Sequence, residues 1–176
     1  ESREGIAQVA VSFALRFVPF AAVFGIRHER AVGWHRAGPC EGAQFGAVEL
    51  VIPDDSVVKQ VLDSPSPLLG KPPITNGNST FFGWIGRRRP RTALLIPIVV
   101  ARRTVGVLYA DGGVRPREIQ FLSDLVSFGA RIGPAFEALL RARHRATADL
   151  IRTDAPGQTL SPARQDGTSP FAQGYQ

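Results

Sequence analysis

The sequence predicts an α+β domain built on antiparallel hairpins and flanked by helices. Three observations predict it: an apolar helical period near the start, two pairs of apolar runs each joined by a short charged turn, and a long heptad-like stripe before a polar tail. At 176 residues the chain is long enough for one well-buried core, so a single domain with tails is expected.

The first helix is expected over Gly5 to Phe17, where Ile6, Val9, Ala10, Phe13 and Phe17 recur at helical spacing, Ser2 is the N-cap and Pro19 lies beyond the end. Phe20 to Ile26 and Ala31 to Ala37 read as two strands around the polar break Arg27-His28-Glu29-Arg30. After the Gly38-Pro39-Cys40-Glu41-Gly42 turn, Gly46 to Ile52 supplies a third strand ending at Pro53. Ser56 then precedes Val57, Val58, Val61 and Leu62, the pattern of a short helix lying on a core, which Ser64-Pro65-Ser66-Pro67 ends.

Pro72 to Arg91, rich in Gly, Pro, Asn and Ser, is expected to be a loop whose Phe81, Phe82, Trp84 and Ile85 pack inward. The strongest β signals are Thr92 to Val100 and Thr104 to Ala110, with Asp111-Gly112-Gly113 as a stop. Pro97 lacks a backbone donor, so a bulge or an unpaired stretch is expected at it. Pro116 opens a final helix running through Arg145, with Leu122, Leu125, Gly129, Ile132, Phe136 and Leu139 as its stripe and a kink at Gly133-Pro134. The domain is therefore placed at residues 1–146. A disordered tail is placed at 147–176, where apolar residues are too few to offset ordering entropy.

Composition narrows the class. A hydrophobic fraction of 44% with 20% charged residues is ordinary for a folding, soluble chain. Its longest apolar run, Ala93 to Ala101, contains Pro97 and falls far short of the roughly 20 residues of a membrane helix. The chain starts at Glu1, has no methionine and shows no signal-peptide pattern, so an excised cytoplasmic piece of a longer protein is expected. With Cys40 alone, neither an intramolecular disulfide nor a cysteine metal cage forms, which suits a reducing compartment. The net charge of +6 rests on arginine, Lys59 and Lys71 being the only lysines; the arginine bias suits a GC-rich bacterial genome.

Helix, hairpin, strand, short helix, aromatic loop, hairpin, long helix is the order of a GAF domain. Phe20 to Gly38 resembles that family's first hairpin, and Ser56 to Pro67 its short helix and the turn after it. Leu95-Ile-Pro-Ile-Val-Val-Ala-Arg-Arg-Thr-Val-Gly-Val-Leu-Tyr-Ala-Asp111 is similar to its most recognisable stretch, and Glu118 to Ala130 to the start of its last helix. The resemblance covers Glu4 to Arg143. It implies a central antiparallel sheet with the N- and C-terminal helices on one face, a pocket site on the other, and helices that pair across a dimer. The family's cyclic-nucleotide set is not found, with asparagine confined to Asn76 and Asn78, and Cys40 lies too early for bilin attachment. Sulfoxide-reducing members need several cysteines.

No catalytic set is expected, because His28, His35 and His144 fall on a turn, a strand and a helix end rather than forming a triad. No metal site and no cofactor are expected either. Trp34, Phe82, Trp84 and Tyr109 are the candidates to line or fill a ligand pocket between the sheet and residues 76–85. Arg87, Arg88 and Arg89, with Arg102 and Arg103 in the neighbouring turn, are candidates for partner contact; nucleic acid is disfavoured because no groove-reading helix or stacking platform accompanies them. Phe121 and Phe128 lie on a line flanking the last helix's stripe and are candidates for a homodimer seam. The functional expectation is a regulatory module of a bacterial signalling protein acting through dimerisation and protein docking, with a small-molecule sensor as the alternative.

Overall fold

The computed structural model describes residues 2–42, 44–112 and 122–153. Helix α1 (Arg3–Ala14) starts where the Ser2 hydroxyl accepts a hydrogen bond from the Gly5 amide at 3.0 Å, satisfying one of the free donors of the first turn. It stops one turn before Phe17, leaving Phe13 and Phe17 in an edge-to-face pair. Strands β1 (Phe20–Arg27) and β2 (Arg30–Ala37) follow, then β3 (Leu50–Val51), α2 (Val57–Asp63) and β4 (Leu68–Gly70). Helix α3 (Asn76–Ile85), β5 (Ala93–Val100), β6 (Arg103–Asp111) and α4 (Leu122–Thr153) complete the order.

The strands form one antiparallel sheet in the order β3-β2-β1-β6-β5-β4. Both faces are covered, which is why β1 and β5 read as nearly unbroken apolar runs rather than as alternating ones. One set of alternate residues, including Ala21, Val23, Ile96 and Leu108, packs under α1 and α4; the other, including Phe20, Phe24, Leu95 and Tyr109, packs against α2 and α3. Helix α4 approaches β5 closely because Gly129 and Gly133 carry no side chain. A Cβ at Gly129 would stand 2.6 Å from Ile96 Cγ2, and one at Gly133 2.3 Å from the Val99 carbonyl oxygen.

Four expectations change. The predicted strand from Gly46 shrinks to Leu50–Val51, because Val48 donates back to the Gln44 carbonyl at 2.9 Å and closes a turn there. Pro97 stays in register opposite Val107, and the irregularity falls at the next pair, where Val105 of β6 is the extra residue between Ile98↔Gly106 and Val99↔Thr104. Helix α4 runs through Pro134 and on to Thr153, past the predicted end at Arg145. The segment expected to be an aromatic loop holds α3. Pro116, Phe121 and the tail from residue 154 lie outside the described residues. No described helix is long and apolar enough to cross a membrane.

Candidate functional site

Helix α3 sits over the sheet on the face away from α1 and α4. Its start is set by Thr75, whose Oγ1 accepts from the Asn78 amide at 3.0 Å, and its end by Gly86 in the left-handed conformation at φ 75°. Asn78 is almost fully buried and bridges two segments: its Oδ1 accepts from the Val57 amide at 2.8 Å, and its Nδ2 donates to the Pro73 carbonyl at 3.0 Å. That amide thereby completes the start of α2, beside the Ser56 hydroxyl that accepts from Lys59.

Phe81, Phe82 and Trp84 point from α3 into the sheet and meet Phe24 and Tyr109. Ring centroids stand 5.7 Å apart for Phe24–Phe81, Phe24–Trp84 and Phe81–Tyr109, at the steep angles that aromatic quadrupoles favour. All five side chains are buried, so protein rings fill the space between sheet and α3. Trp84 also donates from Nε1 to the Val48 carbonyl at 2.7 Å, holding the turn before β3 in place.

Trp34 does not join them. The β1–β2 register passes from Val23↔His35 to Phe24↔Gly33, which makes Trp34 the extra residue of a bulge. Its ring lies on the α1/α4 face in the space left by Gly25 and Gly106, 5.1 Å from the Phe136 ring and beneath the Arg3 guanidinium. The expectation that Trp34 lines the same cavity as Phe82, Trp84 and Tyr109 is therefore corrected. The bulge shifts the strand's alternation, so that Arg36 reaches the α3 face, where it donates to the Ile85 carbonyl at 2.7 Å and to Gly42 at 2.6 Å.

The expected basic run also divides. Arg87 turns inward and forms a two-bonded pair with Asp111, Nη2 to Oδ1 at 2.5 Å and Nε to Oδ2 at 3.0 Å. Its guanidinium also donates to the Pro39 carbonyl and lies 4.6 Å above the Phe20 ring. Asp111 is fully buried and takes a further hydrogen bond from the Tyr109 hydroxyl at 2.8 Å. Burial alone would lower the Arg87 pKa, but the hydrogen bonds and charge of Asp111 outweigh it and hold the guanidinium above its usual value. Burial, reinforced by the Asp111 carboxylate, pushes the Tyr109 phenol well up. Arg87 is thus a latch between the end of α3 and the end of β6, not a surface contact. Arg89 is half-buried and donates to the Pro72 carbonyl at 3.1 Å, while Arg88 is exposed.

Arg102 and Arg103 lie at the β5–β6 turn, at the end of the sheet opposite that latch. Phe128 stacks on Phe13 at 4.0 Å and borders a groove of about 450 Å³ between α1 and α4, where Ile6 and Ala135 are half-buried and Val9 is 63% exposed. His28 occupies the β1–β2 turn and His35 strand β2. Among the described residues, no group of three or more His, Cys, Asp or Glu side chains is placed to hold a metal ion.

No family model matches the sequence, and no curated protein matches it. Solved structures do. The second GAF domain of DevS from Mycobacterium smegmatis superposes with a TM-score of 0.62 at 18% identity, covering 80% of this chain and 97% of that one. The PixJ GAF domain of Thermosynechococcus elongatus, in its blue-light absorbing form, gives 0.63 at 13% identity over 83% and 91%. The GAF domain of a phosphoenolpyruvate-protein phosphotransferase from Coxiella burnetii gives 0.60 at 15% identity over 80% and 86%.

The chain has the GAF fold. The expected sheet, with its first and last helices on one face, is the one found. Opposite them, this GAF fold places a packed aromatic layer closed at one end by the Arg87–Asp111 pair. Sequence reasoning missed Asn78, Arg36 and the inward turn of Arg87. A signal for α3 was present in the apolar spacing Phe81, Phe82, Trp84, Ile85 followed by Gly86, but the glycines and asparagines at its start masked it.

Proposed function

We propose that this chain is a regulatory module of a bacterial signalling protein that works by pairing with a second copy and docking a protein partner, with no catalysis and no cofactor of its own. The observation that carries the reading is the aromatic layer: Phe24, Phe81, Phe82, Trp84 and Tyr109 occupy the space that a ligand between sheet and α3 would need. The neighbouring folds, which include GAF domains of a phosphotransferase and of an HD-domain protein and a part of a methyl-accepting chemotaxis protein, favour a signalling context.

Pairing through the first and last helices is supported by the α1–α4 groove and by the length of α4, which at 32 residues is about 48 Å and outruns the strands beneath it. Val9 and Phe128 would lie in that seam, with Arg131 at its rim. Light scattering and native mass spectrometry of the purified chain test this reading together. A mass of twice the chain with no bound small molecule is expected, and Val9→Glu should return the monomer while leaving the circular dichroism unchanged. A monomeric chain, or a co-purified ligand, would overturn it.

A further inference from the structure

The two hairpin turns stand side by side at one end of the sheet, because β1 and β6 pair antiparallel with Gly25 opposite Gly106. Each is a two-residue turn with positive φ at both central residues: His28 and Glu29 at 46° and 59°, Ala101 and Arg102 at 47° and 64°. Such turns favour Asn-Gly, since other side chains meet the backbone there. Here the second turn spends one of those positions on an exposed arginine.

Charge at this edge is unbalanced. Glu29 lies 3.6 Å and Asp63 3.3 Å from Lys59 Nζ, Asp54 adds its charge near the same ammonium, and Glu49 lies 4.0 Å from Arg30. Arg27, Arg102 and Arg103 make no ion pair or side-chain hydrogen bond among the described residues. Beside Arg102 and Arg103 opens a cleft of about 370 Å³ with Ile26, Ile52, Leu62 and Pro65 along its walls; Lys59 and Glu29 line it as well, so its lining carries three cations against one carboxylate. Thr104 lines it too, and its buried Oγ1 has no hydrogen-bond partner.

We infer that this cleft docks an acidic peptide segment that seats one apolar side chain between Ile26, Ile52 and Leu62 and sets carboxylates on Arg102 and Arg103. The inference rests on the docking reading above and gives the partner's chemistry. Guanidinium forks match carboxylates, and an apolar anchor explains the walls. A nucleic-acid strand fits less well, because the aromatic rings of the neighbouring layer are turned into the core and leave no stacking surface for bases.

The test uses a fluorescein-labelled Asp-Glu-Leu-Glu-Asp peptide, read by anisotropy on the full chain at low and high salt. Binding should weaken with salt. It should fall about tenfold with Arg102→Ser plus Arg103→Ser, as expected for losing charge-assisted hydrogen bonds, and several-fold when the peptide leucine becomes serine. Arg102→Gly is the second variant: it suits the positive φ, so its melting temperature should hold or rise while binding drops. Unchanged binding by either variant would overturn the inference. So would equal competition by inorganic phosphate with no role for the leucine, which indicates a bare anion site, or tighter capture of a single-stranded oligonucleotide by the same arginines. Light scattering on the same samples separates the two proposals: a monomer that still binds the peptide sinks pairing alone, and a dimer that ignores it sinks this inference alone.

Discussion

Arg87 and Asp111 are separated by 24 positions in the sequence and joined by two hydrogen bonds, with the carboxylate fully buried and the arginine side chain 13% exposed. The pair ties the loop after α3 to the last residue of β6, and so anchors the aromatic layer at that end.

Breaking this pair should be costly. Arg87→Met takes a two-bonded guanidinium away from a buried carboxylate, and unfolding in urea should show a loss of about 3–5 kcal/mol. Adding Asp111→Asn should recover part of that loss, because the negative charge then no longer has to be buried. Equal stability of Arg87→Met and the parent would contradict the latch.

Tyr109 predicts an alkaline limb of stability. Its folded pKa lies above the unfolded value of about 10, so its contribution is complete below about pH 10 and declines as pH rises towards the folded pKa. The slope it adds is at most about 1.4 kcal/mol per pH unit, since the unfolded phenol ionises while the folded one keeps its proton. Tyr109→Phe should flatten the urea midpoint between pH 10 and 11, as roughly that range brackets the unfolded titration. Lys59, raised by its hydrogen bond to and the charge of Asp63, declines in the same direction, which is why the comparison with Tyr109→Phe isolates the phenol.

The close approach of α4 to β5 predicts intolerance at Gly133. An alanine Cβ would fall 2.3 Å from the Val99 carbonyl oxygen, a backbone atom with no rotamer to give, so the helix must shift outward. Gly133→Ala should cost about 1–3 kcal/mol despite alanine's better helix propensity. A stabilised Gly133→Ala would show that α4 sits further from the sheet.

The tryptophans report on opposite faces. Trp84 is 3% exposed and Trp34 is half-buried, so acrylamide should quench Trp84→Phe, which retains Trp34, more strongly than Trp34→Phe. If pairing covers the α1/α4 face, dilution below the dimer constant should change Trp34 emission and leave Trp84 emission unaltered.

Much of the fold was legible because strands buried on both faces leave long apolar runs, and because caps are local. Ser2 and Ser56 cap the helices that their sequence neighbourhoods predict. The β5–β6 hairpin was placed to within a residue at each end. Helix α3 was not, since its first turn, Asn76-Gly77-Asn78, consists of poor helix formers held by Thr75, Val57 and Pro73 across the chain.

The candidate site was legible in part. Phe82, Trp84 and Tyr109 share one layer, as their hydrophobic bulk suggests, whereas Trp34 lies on the other side of the sheet. Arg102 and Arg103 stay at the surface, while Arg87 from the same basic set turns inward.

The sequence alone determined α1 and α2 with their serine caps and the strands of the two hairpins, because each depends on neighbours a few positions away. Tertiary structure alone decided which face each aromatic occupies and which arginine is paired. A bulge reverses strand parity without any mark in the local pattern, and an ion pair between positions 87 and 111 exists only once α3 and β6 have packed against the same layer.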